Sequence, residues 1–159
     1  MLKLYHGSNI KIEKIDLSKG RINKDFGKGF YLTTVKSQAE EMAKRKAKQY
    51  LGTNPVVTEF YFDNSVLLSN KLKIKQFTEV SAEWAEFILK NRKASRTGFH
   101  HDYDIVIGPI ADDGVVQQLD LYEMNLISMN QLVEALRWRD LNDQYFFGTE
   151  KAISKLQVL

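Results

Sequence analysis

The sequence predicts a single α+β domain over residues 1–159, on three observations. Short alternating or apolar runs at Leu2–His6, Gly29–Thr33, Pro55–Phe62, Tyr103–Ile107 and Gln144–Phe147 have the length and period of strands. Stretches beginning near Ser37, Val80 and Ser128 repeat apolar residues at helical spacing instead. The two kinds of segment mix without regular βαβ alternation, which separates this chain from the doubly wound class.

The elements follow in order. Leu2, Leu4 and His6 alternate with Lys3 and Tyr5, as in a half-buried strand. Polar residues and Gly20 carry the chain through an extended stretch to Asp25, before the aromatic strand at Gly29–Thr33. Ser37 and Glu40 have capping-box spacing, and Ala39, Met42, Ala43, Ala47 and Tyr50 form an apolar stripe behind them. Gly52 and Pro55 stop that helix, and Pro55–Phe62 offers Val57, Phe60 and Phe62 to a core. Leu72, Ile74 and Phe77 alternate imperfectly, as in an edge strand. Val80, Trp84, Phe87 and Ile88 then define a helix ending near Arg92, with a basic loop from Lys93 to His100. Tyr103–Ile107 is apolar enough to be a buried central strand that turns at Gly108-Pro109. Asp112-Asp113 reads as a helix start, and Ser128 with Gln131 is a second capping box. Gln144–Phe147 is the last strand, and a short helix begins near Thr149.

Composition narrows the chemistry. The chain is 43% hydrophobic and has no low-complexity segment, so it is expected to fold. It has no cysteine, which removes disulfides, thiolate metal sites and cysteine nucleophiles. The N-terminus has no signal-peptide core and no run can cross a bilayer, so a cytoplasmic protein with no membrane partner is expected. Net charge is +3, with basic clusters at Lys44, Arg45, Lys46, Lys48 and at Lys90, Arg92, Lys93, Arg96. Solvated helix faces are the simple reading, and a landing area for nucleic acid or an acidic protein is the sharper one. His100-His101-Asp102 is a poor metal set, because adjacent strand residues diverge and no partner pair is evident. Asp104 needs partners inside its apolar strand, and structural amides are favoured over a substrate.

Two segments carry more. A lone strand histidine such as His6 is more often structural than catalytic, but Gly7 beside it permits close approach to the backbone. In Asp25-Phe26-Gly27-Lys28-Gly29-Phe30-Tyr31-Leu32-Thr33-Thr34, two glycines flank a lysine, although glycine weakens a strand and buries nothing. Tyr31 alternates with Phe30 and presents its phenol to the opposite face.

Leu4-Tyr5-His6-Gly7-Ser8 and Phe26-Gly27-Lys28-Gly29-Phe30-Tyr31-Leu32-Thr33 resemble the first two signature segments of ADP-ribosyltransferases of the poly-ADP-ribose-polymerase and diphtheria-toxin branch. That branch is described by a histidine, tyrosine, glutamate triad on three strands. Nearly the whole chain also resembles a bacterial domain-of-unknown-function family numbered 3990, including Tyr103–Pro109 and Asn142-Asp143-Gln144. The resemblance implies a split β-sheet flanked by helices, with a cleft for NAD as substrate and no metal. It implies that His6 bonds a ribose hydroxyl on the adenosine side. Gly7 would pair with the nicotinamide amide through its backbone, and Tyr31 would stack on the nicotinamide ring. Ser8 and Lys28 are cleft-wall residues in this reading.

Gln144 occupies the place of the glutamate. Glutamine can hydrogen-bond the nicotinamide ribose, but it supplies no full negative charge to an oxocarbenium-like transition state and cannot deprotonate an acceptor. The implied activity is single transfer of ADP-ribose to a protein or nucleic-acid acceptor with release of nicotinamide, as a toxin or defence component with an antitoxin-like partner. The alternatives are a catalytically inactive module that binds NAD or ADP-ribose, and an NAD glycohydrolase.

Overall fold

The computed structural model describes residues 1–159 as a mixed fold with a curled seven-stranded sheet and six helices. The strands are β1 (Leu2–Ser8), β2 (Phe30–Thr33), β3 (Val56–Phe62), β4 (Ile74–Gln76), β5 (Ile105–Pro109), β6 (Asp143–Phe147) and β7 (Leu156–Val158). The helices are α1 (Lys36–Gln49), α2 (Ala82–Arg92), α3 (Ala94–Thr97), α4 (Asp113–Glu123), α5 (Met129–Leu136) and α6 (Glu150–Ile153). Strand order is β4-β5-β6-β2-β1-β3-β7, antiparallel throughout except for the β4–β5 pair.

Alternation along the strands divides the buried residues between two cores. On one face Val106 and Phe146 meet Trp84 and Ile88 of α2, Val115 and Leu119 of α4, and Leu132 and Leu136 of α5. On the other, Leu4, Leu32, Phe60, Phe62, Ile105, Ile107 and Phe147 gather into one cluster closed by Ala152 of α6. Strands far apart in the order reach this second cluster because the sheet curls around it.

The two halves of the sheet are barely joined. β1 pairs with β3 along its whole length, from Leu2↔Phe62 to Ser8↔Val56, but with β2 only at Tyr5↔Thr33. Past Tyr5 the two strands part. Helix α1 packs over β1 at this place, and a Cβ on Gly7 would lie 1.9 Å from the Ala39 carbonyl oxygen. The close approach that glycine permits here is therefore made by the chain's own helix.

Several expectations are corrected. Ser37 lies inside the first turn of α1 and caps nothing; Val35 is the N-cap residue and provides no side-chain bond. Thr33 serves that end instead, its Oγ1 accepting from the Val35 amide at 3.1 Å and donating to Gln38 Oε1. Only Ala39 and Ala43 of the α1 stripe are buried, whereas Met42 and Tyr50 are exposed. Gly108-Pro109 does not turn but completes β5, and the Pro109 carbonyl accepts from the Trp84 indole. The basic loop contains α3, ended by Gly98 at φ 73°. Strand β7 was missed, being three residues at the sheet edge.

Other expectations hold. The box at Ser128 and Gln131 forms in both directions, and Asp112 caps α4. Strand β4 lies at an edge. Asp104 is structural, accepting from the Lys73 amide at 2.7 Å and the Thr149 hydroxyl at 2.6 Å.

Gly7→Ala is expected to lower unfolding free energy by about 3 kcal/mol, because a helix backbone cannot give way as a side-chain tip does. Gly52→Ala meets nothing within 4 Å and only strains a left-handed residue (φ 81°), so a loss of about 1 kcal/mol is expected. Urea unfolding of both variants checks this; equal losses would refute the packing argument.

Candidate functional site

A cleft of about 500 Å³ opens where β1 and β2 part. Its walls include His6, Gly7 and Ser8 of β1, Phe30 and Tyr31 of β2, Met42 and Lys46 of α1, and Gln144 of β6. The long connection from Asn9 to Lys24 closes it from outside. In an antiparallel strand every second residue turns its amide and carbonyl away from one neighbour. Since β2 has left the ladder, alternate backbone groups of His6–Ser8 face the cleft.

His6 reaches across the gap. Its Nδ1 lies 2.8 Å from the Tyr31 carbonyl oxygen, and Phe30 stacks on its ring at 4.5 Å between centroids. A carbonyl only accepts, so Nδ1 carries the proton and neutral His6 keeps Nε2 as an acceptor. Burial pushes its pKa below the usual histidine value, opposed by the Tyr31 carbonyl and assisted by Lys46 and Lys24.

Tyr31 is fixed at both ends. Its hydroxyl donates to the Gly27 carbonyl at 2.6 Å and accepts from the Phe26 amide at 3.0 Å. Burial raises the phenol pKa well above its ordinary value, so the hydroxyl stays protonated. The ring meets Phe146 edge-on at 5.3 Å, and the Lys24 ammonium lies 5.3 Å from its centroid. With the hydroxyl committed to the loop, Tyr31 contributes its ring to the cleft wall, with the Lys24 ammonium over it.

The flanking glycines have local reasons. Gly27 has φ 98°, and a Cβ on Gly29 would lie 2.3 Å from the Phe146 ring. His101 Nε2 lies 2.6 Å from the Phe26 carbonyl oxygen, pinning the same loop. Gln144 sits in the row Tyr5↔Thr33↔Gln144↔Gly108, and its Nε2 is buried without a hydrogen-bond partner. Such an atom in a buried residue calls for an explanation.

His6, Gly7, Ser8, Tyr31 and Gln144 are thus brought to one cleft, from three strands. Lys28 is exposed and does not line it; Lys24, four residues earlier, does. Sequence reasoning also missed Lys46, although its spacing from Ala39 and Met42 places it along the same side of α1. Asp25 and Arg92 form an ion pair at 2.8 Å beside the cleft, linking residues too far apart in sequence for any pattern to signal.

No helix is long and apolar enough to cross a membrane. The fold is that of a mixed α and β protein with a cleft in a parted sheet. The chain belongs to the family described as Protein of unknown function (DUF3990), whose model matches residues 2–158. Among curated proteins none matches the chain, and among solved structures none does.

The lowered pKa of His6 sets a pH dependence. As pH falls through about 6.5, the unfolded chain binds a proton that folded His6 resists, so stability drops with acidification. The loss stops growing once pH is below the folded-state pKa. His101, lowered chiefly by burial, acts in the same sense. Urea titrations at pH 7.5 and 5.5 should show a smaller decrease for His6→Asn than for the parent; an identical decrease would exclude His6 as a source.

Proposed function

We propose that the cleft binds NAD and that the protein transfers ADP-ribose from it to a macromolecular acceptor, with release of nicotinamide. The observation that carries this reading is the convergence of His6, Tyr31 and Gln144 on the opening between β1 and β2. The residues suit the ligand. A cleft of about 500 Å³ lies within the range of small-molecule sites. The unpartnered Gln144 Nε2 is a donor whose missing hydrogen bond a ribose hydroxyl oxygen would complete.

The roles follow from what each group has left to offer. His6 Nε2 accepts from a ribose hydroxyl, since Nδ1 is already bonded to the Tyr31 carbonyl. The backbone of Gly7, released from the β2 ladder, pairs with a planar carboxamide. The Tyr31 ring provides a flat face for the nicotinamide, held in place through its hydroxyl. Loss of nicotinamide breaks the bond to C1′ of its ribose and leaves positive charge on that sugar. Gln144 orients the sugar by hydrogen bonding and stabilises this charge less than a carboxylate would.

That neutral amide favours one second reading: a module that binds NAD or ADP-ribose without turnover. The two readings diverge on nicotinamide release.

Purified protein incubated with adenine-labelled NAD and cell lysate should label a macromolecule, and Tyr31→Ala should abolish labelling. Tyr31→Phe should keep most of the activity while costing about 1–2 kcal/mol of stability, because it retains the ring and loses the loop bonds. Gln144→Glu should raise nicotinamide release on the order of 10-fold or more. Binding by calorimetry with no release in the parent chain would support the module. Release without labelled macromolecule would make the protein a glycohydrolase, and no binding would end the proposal.

A further inference from the structure

A second cavity, of about 440 Å³, lies beside the first and is lined by Asn23, Lys24, Asp25, Tyr31, Arg92 and Gln144. Lys24, Tyr31 and Gln144 belong to both, so they form the wall between the cavities. Whatever enters the second cavity reaches the same tyrosine and glutamine from another side.

The polar groups there are mostly donors. Arg92 uses Nε on Asp25 at 2.8 Å, and its two terminal nitrogens donate to no protein atom. Asp25 thereby holds the guanidinium fork, with its remaining edge available to a pair of oxygens. Lys24 is in no ion pair; its ammonium lies over the Tyr31 ring. Asn23 is already committed, its amide donating to the Ser95 hydroxyl and its carbonyl accepting from the Ser95 amide. Free donors and two cations around one cavity select an anion rich in oxygen.

We propose that the second cavity receives the acceptor, as a terminal phosphate of a nucleic-acid strand held by Lys24 and Arg92. The inference rests on the transferase reading for its chemistry, but the anion site does not depend on it. Its logic comes from Gln144, which cannot take a proton from an acceptor. A phosphate monoester is already ionised. One of its oxygens forms a bond to C1′ of the nicotinamide ribose as the C1′–N bond breaks, and the electron pair leaves with neutral nicotinamide. No proton has to be removed.

Phosphate is favoured over a protein carboxylate by the charges along the approach. Arg21 stands near Lys24, and exposed Arg96 lies on α3, whose Ser95 bonds Asn23 in the wall of this cavity. A strand with a phosphate at every nucleotide uses successive cations, whereas one carboxylate uses only the last. Lys24 is consistent with this: desolvation lowers its pKa, Asp25 opposes that, and Lys46, Arg21 and Arg92 add repulsion that an anion would relieve.

The test uses the full chain without NAD first. Fluorescence anisotropy compares a single-stranded oligonucleotide with a 5′-phosphate against the same strand with a 5′-hydroxyl. At least tenfold tighter binding of the phosphorylated strand is expected, with the preference lost in Arg92→Gln and in Lys24→Gln. Lys24→Gln guards against misfolding from an unpaired Asp25, and Lys155→Gln controls for charge alone. Equal binding of both strands, or equal loss in Lys155→Gln, overturns the site. Labelled NAD is then supplied with either oligonucleotide or with polyglutamate. Label on the phosphorylated strand alone is expected; preferential label on polyglutamate overturns the phosphate assignment and leaves the transferase standing. A phosphate preference with no transfer from NAD would sustain the anion site and sink the transferase.

Discussion

The pairing of Tyr5 with Thr33 holds together a sheet that otherwise divides at that seam, and the candidate site depends on how little pairing there is. Had β1 and β2 zipped to the end of β1, the backbone groups of His6–Ser8 that face β2 would have been spent on a second ladder. Instead β1 stays with β3 to Ser8 while β2 goes with β6. The interval between them is crossed by the His6 imidazole, which bonds the Tyr31 carbonyl where a strand amide would have done so. Helix α1 is seated directly on the Gly7 backbone, so β1 is backed by a helix as well as by β3.

Rigidity on the other side of the seam comes from the loop before β2. The Tyr31 hydroxyl bonds both Phe26 and Gly27, and His101 bonds Phe26 again. Phe26 is fully buried among Phe77 and Phe87. In the proposed binding of nicotinamide, a ring whose rotamer is fixed at its tip needs no further ordering. The phenol, which looks like a chemical group in the sequence, is here a fastening.

Electrostatics gives the site its asymmetry. Cations on the connection to Lys24 and on α1 surround a cleft whose third strand contributes a neutral amide. In the proposed transfer, this arrangement suits an acceptor that is already ionised better than one that must first lose a proton to Gln144.

The sequence by itself determined the elements whose cause is local. Alternating or apolar runs specified six of the seven strands, and the Ser128–Gln131 box and the Asp112 cap were readable because partner and amide are three residues apart. His6, Tyr31 and Gln144 stood out through residue type and the family pattern around them. Tertiary structure alone decided what those residues are free to do. The close approaches at Gly7 and Gly29 were answered by Ala39 and Phe146, distant in sequence. Lys24 lines both cavities while Lys28 lines neither. The Asp25–Arg92 pair and the parting of β1 from β2 are products of packing between segments that no short-range period connects. Pairing patterns within a few residues are written in the chain; which backbone is left unpaired depends on every neighbour at once.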